Sequence, residues 1–358
     1  MGKYLNLFTL TICIVVLLVL TGLYNLRLEE LSLPIKDIYA PGDGRLTLGI
    51  FKIIVNGSFN DLIVPLSGNL NAPFNFEIQD FPLPFFSNFL YIKLLSLFSS
   101  DAIFVFNIYY ISTYFFSALA MFWVLRKLRI NPYIAVAVSL IFTFLPYHFW
   151  RLPHTFYSGY FFIPIWVYYL LILSNKKPLF FKFDSISKKY IFDWSKRNKI
   201  LIGVLIFSST WNFYYTFFFS FLICFVLISH LIHKKGRHHI LSALLFLGLA
   251  VSPFAANMLP YKIYQLENGS NSQVGNRNPI SAETLGLTIT SLVFPNIDHK
   301  VKKLDKLSKS YSHQSLLFNE SNDAILGFFG ALGFTLLIFV VFFGNKFSKT
   351  LNQLSKFN

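Results

Sequence analysis

The sequence predicts an all-α polytopic membrane protein with about eight transmembrane helices and two long extracytoplasmic loops, on three observations. Of its 358 residues 54% are hydrophobic and only 13% charged, with a mean hydropathy of +0.55, more apolar surface than a soluble domain conceals. Uncharged apolar runs recur at the length needed to cross a hydrocarbon core of about 30 Å. Lysine and arginine gather in alternate connections between those runs, as the positive-inside rule requires.

The first run, Leu5 to Leu23, holds 19 residues and no charge. A single lysine precedes it, it exceeds a signal-peptide core, and no A-x-A-like site follows, so it reads as a retained anchor. Residues 24–101 form the first outer loop. Within it Ser87 to Phe98 is apolar but only 12 residues long and contains Lys93, too short to cross and suited to the interface. Residues 102–259 carry the second to seventh crossings, in runs Ala102–Leu125, Pro132–Phe149, Phe156–Ser174, Ile200–Ile232 and Ile240–Leu259. At 33 residues Ile200–Ile232 is long for one helix, and the polar, aromatic break STWNFYYT (Ser209–Thr216) divides it into a tight hairpin. A second outer loop, 260–322, leads to a last crossing at 323–344 and a tail at 345–358.

With the N-terminus inside, 18 of the 31 Lys and Arg fall on the cytoplasmic side and 14 of the 16 carboxylates outside. Were Ile200–Ile232 one crossing, the RKLR and HKKGRHH clusters would lie on opposite sides of the membrane. The net charge of +15 is therefore a topology signal, and the short juxtamembrane basic loops imply no nucleic-acid partner. Cys13 and Cys224 both lie inside apolar runs and read as small buried hydrophobes. The chain contains no CxxC, HExxH, Walker A or GxSxG motif, so nucleotide hydrolysis and zinc chemistry lack support.

The candidates for chemistry lie in the outer segments. Asp43 in YAPGDGRL is a carboxylate between two glycines on the water side, placed to take a proton as general base; Gly-Asp-Gly also makes a simple turn. Glu77 and Asp80, in EIQD, point apart in an extended chain but converge in a turn or helix start, where they suit a hard divalent cation such as Mg2+ or Mn2+; a helix N-cap is the other role open to Asp80. Arg151 and His154, in FWRLPHTF, stand at an outer helix end where a cation meets a phosphate without entering hydrocarbon; snorkelling and interfacial capping are the alternatives. Arg277, in GNRNP, is a further cation, and the lysines of 300–309 read as a solvated face.

Four features together resemble the GT-C superfamily of membrane glycosyltransferases, including YfhO-type and related bacterial multispanning proteins. They are the anchor followed by PGDGRL, the stretch PFNFEIQDFPLP ending at Pro84, RLPH followed by YFFIPIWVYYLL, and the aromatic hairpin WNFYYTFFF. The resemblance implies inverting transfer of a sugar from a polyprenyl-phosphate-linked donor to a lipid or glycan acceptor of the cell envelope, at the outer membrane surface among membrane lipids. It implies Asp43 as the base, with Asp80 as the second acid. Arg151, His154, Arg277 and Glu77 become substrate-binding candidates. Some members hold a divalent cation on outer-loop acids, the role open here to Glu77 and Asp80. A transporter or lipid-linked-oligosaccharide flippase, or a non-catalytic envelope assembly protein, is the competing expectation. Charge-free spans and acids in the outer loops favour interfacial chemistry over a translocation path.

Overall fold

The computed structural model describes residues 2–24, 31–34, 43–62, 83–174, 178–269, 278–281, 286–295, 297, 299–312 and 325–354. It is 74% helical, and among the described residues six helical segments are long and apolar enough to cross a membrane. These are Asn6–Tyr24, Ala102–Lys127, Pro132–Trp150, Thr155–Leu173, Phe213–Ile232 and Arg237–Asn268, and each coincides with an expected run. The other two expected crossings are shorter: a 14-residue helix, Lys196–Ser209, and the apolar stretch Gly327–Phe343.

The chain divides into two compact units, one of residues 1–143 and 151–274, the other of 144–150 and 275–358. The first contains α1 (Gly2–Tyr24), α2 (Asp43–Asn56), a 3-10 turn at Phe59–Leu62, α3 (Phe86–Leu95), α4 (Ala102–Lys127) and α5 (Pro132–Thr143). It continues with α7 (Phe162–Leu173), the strands β1 (Phe181–Asp184) and β2 (Lys189–Phe192), α8 (Lys196–Ser209), α9 (Phe213–Ile232) and α10 (Arg237–Asn268). The second unit holds α6 (Pro146–Trp150), a 3-10 turn at Ile289–Leu292, α11 (Lys302–Ser312) and α12 (Gly327–Leu354).

In the first unit α4 is the central helix. Asp101 caps it, its carboxylate accepting from Ile103 N at 2.9 Å, which satisfies a donor that the helix start leaves open. Its buried face carries Asn107, Thr113 and Ser117 among Tyr109, Tyr110 and Tyr114. Small and hydroxylated residues allow close helix contact in an apolar solvent. Asn107 Nδ2 donates to the carbonyls of Leu31 and Leu33, both at 2.7 Å, and the hydroxyls of Tyr24, Tyr110 and Tyr114 form a triangle with sides of 2.8–3.2 Å.

Hydrogen bonds and ring contacts define two ends of this unit. At one, Asn212 Nδ2 donates to Phe156 O at 3.3 Å and Ser87 Oγ meets Thr210 Oγ1 at 2.6 Å. At the other, His230 Nε2 bonds Leu173 O at 3.1 Å, and Tyr190 stacks on His238 with centroids 3.9 Å apart. The 14-residue α8 starts beside the β-hairpin and finishes at 210–212, so it connects the two ends. The expected break in Ile200–Ile232 is therefore a real turn, with Asn212 as the N-cap of α9, accepting from Tyr214 N at 3.0 Å.

Two features differ from the sequence reading. The expected turn at Asp43 is the start of a helix, because Thr47, Ile50, Phe51 and Ile54 recur at helical spacing and all are buried. The basic loop between α7 and α8, for which the all-α reading expects no strand, contains an antiparallel hairpin in which Phe181 faces Phe192 and Lys182 faces Ile191. Its F-K-F-D and K-Y-I-F segments alternate with period 2, and Asp184 closes the turn by accepting from Ser187 N at 3.1 Å. Those turn bonds, the Ser187 hydroxyl first, lower the pKa of Asp184.

In the second unit Gly327 sits at φ +70°, where a Cβ would contact Pro146 Cδ at 3.4 Å. Phe294 packs on Tyr311 at 4.8 Å. Lys300, Lys302, Lys303 and Lys306 are exposed, the solvated face expected of that run, and Lys309 pairs with Asp305 at 3.0 Å.

Candidate functional site

The start of α2 and the segment before α7, more than a hundred residues apart in sequence, come together in the first unit. Thr47 Oγ1, one turn into α2, donates to Pro153 O at 2.9 Å. That bond sets α2 against the RLPH segment and brings Asp43 Oδ2 to 3.3 Å from His154 Nε2. Asp43 sits in the first helical turn, where the helix dipole favours an anion. With His154 36% and Asp43 63% exposed, the pair is solvated and adds little to stability.

Tyr157 connects the other candidate. Its ring lies 5.9 Å from the His154 ring and 5.9 Å from the Arg151 guanidinium carbon, so one tyrosine ring contacts both residues, the guanidinium at cation–π distance. Tyr157 is held in turn by Tyr214, edge-on at 5.5 Å, and by Tyr215, whose hydroxyl donates to Tyr157 O. The aromatic hairpin thus supports the RLPH segment from below.

Buried and part-buried polar bonds also tie α3 and the residues before it to α10 and to Trp211. Asn88 Nδ2 donates to Trp211 O at 3.3 Å, Phe86 N to Asn257 Oδ1 at 3.2 Å, and Tyr261 hydroxyl to Leu83 O at 3.1 Å. Trp211 stacks parallel to Tyr109 and meets Phe161 and Phe162 edge-on. Its indole lies against Gly159, where an added Cβ would collide with Nε1 and reach Cε2 at 3.0 Å. Gly159→Ala is accordingly expected to displace Trp211 and lower stability by about 1–3 kcal/mol, measured by unfolding in detergent; an unchanged midpoint would contradict this packing.

Lys93 has a role the sequence did not reveal. It is 8% exposed, and its Nζ donates to Ile54 O, Val55 O and Gly57 O at 3.2, 3.0 and 2.6 Å. These are carbonyls at and just beyond the end of α2, which a helix leaves without partners. In the sequence this lysine stands in an apolar run too short to cross; in the fold it caps a helix. The short segment containing it is α3, whose Ser87, Asn88, Phe89, Ile92 and Lys93 are all buried.

Of the predicted site residues, Asp43 is brought to His154, and Arg151 and His154 both contact the Tyr157 ring. Glu77, Asp80 and Arg277 lie outside the described residues. Among the described residues no three His, Cys, Asp or Glu side chains gather as metal ligands. Asp43 and His154 offer one oxygen and one nitrogen, which does not amount to the oxygen set that Mg2+ or Mn2+ takes. The described residues therefore do not make up a divalent-cation site, and the acids expected to hold one, Glu77 and Asp80, lie outside them. Thr47, Tyr157, Asn212 and Lys93 were not singled out as site residues; an Asn directly before an aromatic helical run was a readable cap signal, whereas the Thr47 and Lys93 contacts depend on distant chain segments.

Comparison with curated proteins and with solved structures finds no match. Residues 82–296 match the family model described as a domain of unknown function (DUF6311). That stretch takes in Arg151, His154 and Arg277, while Asp43, Glu77 and Asp80 precede it. The match covers more than half of the chain, which therefore belongs to the DUF6311 family.

Proposed function

We propose that the protein is an inverting membrane glycosyltransferase that moves a sugar from a polyprenyl-phosphate-linked donor to a lipid or glycan acceptor of the cell envelope. The observation that carries this reading is the 3.3 Å approach of Asp43 to His154, with Arg151 across the same tyrosine ring. A solvent-reachable carboxylate beside an imidazole, with a guanidinium at the neighbouring tyrosine ring, is a composition suited to taking a proton and neutralising a phosphate.

In the proposed step the acceptor hydroxyl oxygen attacks the anomeric carbon of the donor. The bond from that carbon to the phosphate oxygen breaks, and its electron pair leaves with polyprenyl phosphate. The hydroxyl proton passes to the Asp43 carboxylate. His154, donating from Nε2, holds one carboxylate oxygen and leaves the other for the acceptor. Arg151 carries the charge that develops on the leaving phosphate. Arg151→Gln is expected to lower kcat/KM for donor about 10-fold to 100-fold, the range for one charge-assisted hydrogen bond, with kcat falling because the charge develops in the transition state. An unchanged kcat/KM would remove Arg151 from the site.

The same proposal includes eight crossings with both termini cytoplasmic. It counts α8 and the apolar part of α12 with the six longer segments, because α8 joins opposite ends of its unit although it is short. The Asp43 end then faces outward and the lysine-rich connections inward, as the charge distribution favours. In cysteine-substituted protein, an impermeant thiol reagent applied outside is expected to label Gln273→Cys and to miss Lys188→Cys. The reverse pattern would place the site on the wrong side for an envelope acceptor.

A further inference from the structure

The hairpin between α7 and α8 is built with two unlike faces. Phe181, Phe183, Tyr190 and Phe192 alternate onto one side, where Phe181 and Tyr190 pack against His238 at 6.2 and 3.9 Å. This face seats the hairpin on the first turn of α10. The opposite face carries Lys182 directly across from Ile191 and Asp184 across from Lys189. At the tip Ile186 is 94% exposed, and Trp194 beyond β2 is 66% exposed.

The charges on this element are one-sided. Lys182, Lys188, Lys189, Lys196, Arg197 and Lys199 are all exposed, against two carboxylates. Asp184 is engaged in the turn. Asp193 accepts from Ser195 and Asn198 while facing Lys182 and Arg197 at 3.9 Å. The outer surface is thus cationic with exposed Ile and Trp side chains among the lysines. Apolar and tryptophan side chains flanked by lysine are the composition of a headgroup-level anchor.

We infer that this hairpin is a docking element for an anionic lipid surface, with Ile186 and Trp194 entering the headgroup region and Lys182, Lys188 and Lys189 binding acidic headgroups. Its place in the chain selects the occupant. It begins a few residues after α7 leaves the apolar region and ends four residues before α8 begins, so the bilayer surface is its immediate neighbour. This inference rests on the membrane reading of the chain and is independent of the transferase reading. A lysine near an anionic surface favours the bound state by about fivefold, so three act together by roughly a hundredfold.

The test uses full-length protein with Cys13→Ala and Cys224→Ala, carrying an environment-sensitive fluorophore on Ile186→Cys. The protein is placed in nanodiscs of phosphatidylcholine alone and of phosphatidylcholine mixed with phosphatidylglycerol. The expected result is quenching by headgroup-region spin-labelled lipid, with protection from aqueous iodide, in the anionic discs only. Lys182→Gln, Lys188→Gln and Lys189→Gln combined should reduce the docked-to-undocked ratio by up to about a hundredfold and restore iodide access. Iodide access in both bilayers overturns the proposal, as does lipid quenching that is equal in neutral discs or unaffected by the triple substitution. Shielding that arises only when a soluble acidic protein is added would also overturn it, in favour of a protein partner. None of these readouts involves turnover, so failure here leaves the transferase reading standing.

Discussion

Asp43→Asn is expected to lower sugar transfer by about 10²-fold or more, with donor binding and folding retained. Asn preserves the size of the side chain and its ability to accept a hydrogen bond from His154, which stands 3.3 Å away, but it cannot take the acceptor proton. Because the carboxylate is 63% exposed, its loss leaves no buried charge unmatched, and the protein should remain folded. The expected signature is a fall in kcat with the KM for donor little changed. Transfer at the wild-type rate would move the base elsewhere, with Asp80 the next candidate. If neither acid mattered, a transport or assembly role would replace the enzyme reading.

Lys93→Met is expected to produce the largest loss of stability, about 2–4 kcal/mol, from three carbonyls left without their donor in a buried place. Met matches the aliphatic length of lysine, so the change removes the ammonium with little change in packing. The lost interactions are those to Ile54, Val55 and Gly57, together with the favourable placing of a cation at a helix C-terminus. Since α2 runs from Asp43 to Asn56, freeing its C-terminal end also loosens the base at the other end, and transfer activity should fall alongside stability. The check is the chemical-unfolding midpoint in detergent, measured beside the transfer rate. A variant as stable as wild type would show that these bonds contribute nothing.

Much of the helical layout was legible because crossing length and charge segregation are properties of contiguous sequence. The six long segments and the break at Ser209–Thr216 follow directly from them. Helix α2 was not legible, since the glycines of PGDGRL read as a turn and masked the Thr47, Ile50, Phe51, Ile54 spacing. The β-hairpin was obscured by the lysines that fill its alternate positions. At the site, Asp43 was identifiable as a glycine-flanked acid in the outer loop after the anchor, and Arg151 and His154 as polar groups at an outer helix end. The approach of Asp43 depends on the bond from Thr47 to Pro153, 106 residues apart, which no local pattern encodes, whereas Arg151 and His154 meet Tyr157 within one short segment. Lys93 illustrates the same limit, because an isolated cation in an apolar run has the same local appearance whether it caps a helix or lines a path.

The most direct measurement follows the fate of a polyprenyl-phosphate sugar given to reconstituted wild-type protein with an envelope acceptor fraction, across a panel of donor sugars. The proposed reaction predicts release of free polyprenyl phosphate in step with glycosylated acceptor, with inversion at the anomeric carbon, and loss of both in the Asp43→Asn protein. Movement of intact donor across the bilayer without cleavage of its sugar–phosphate bond would contradict the account and establish transport instead.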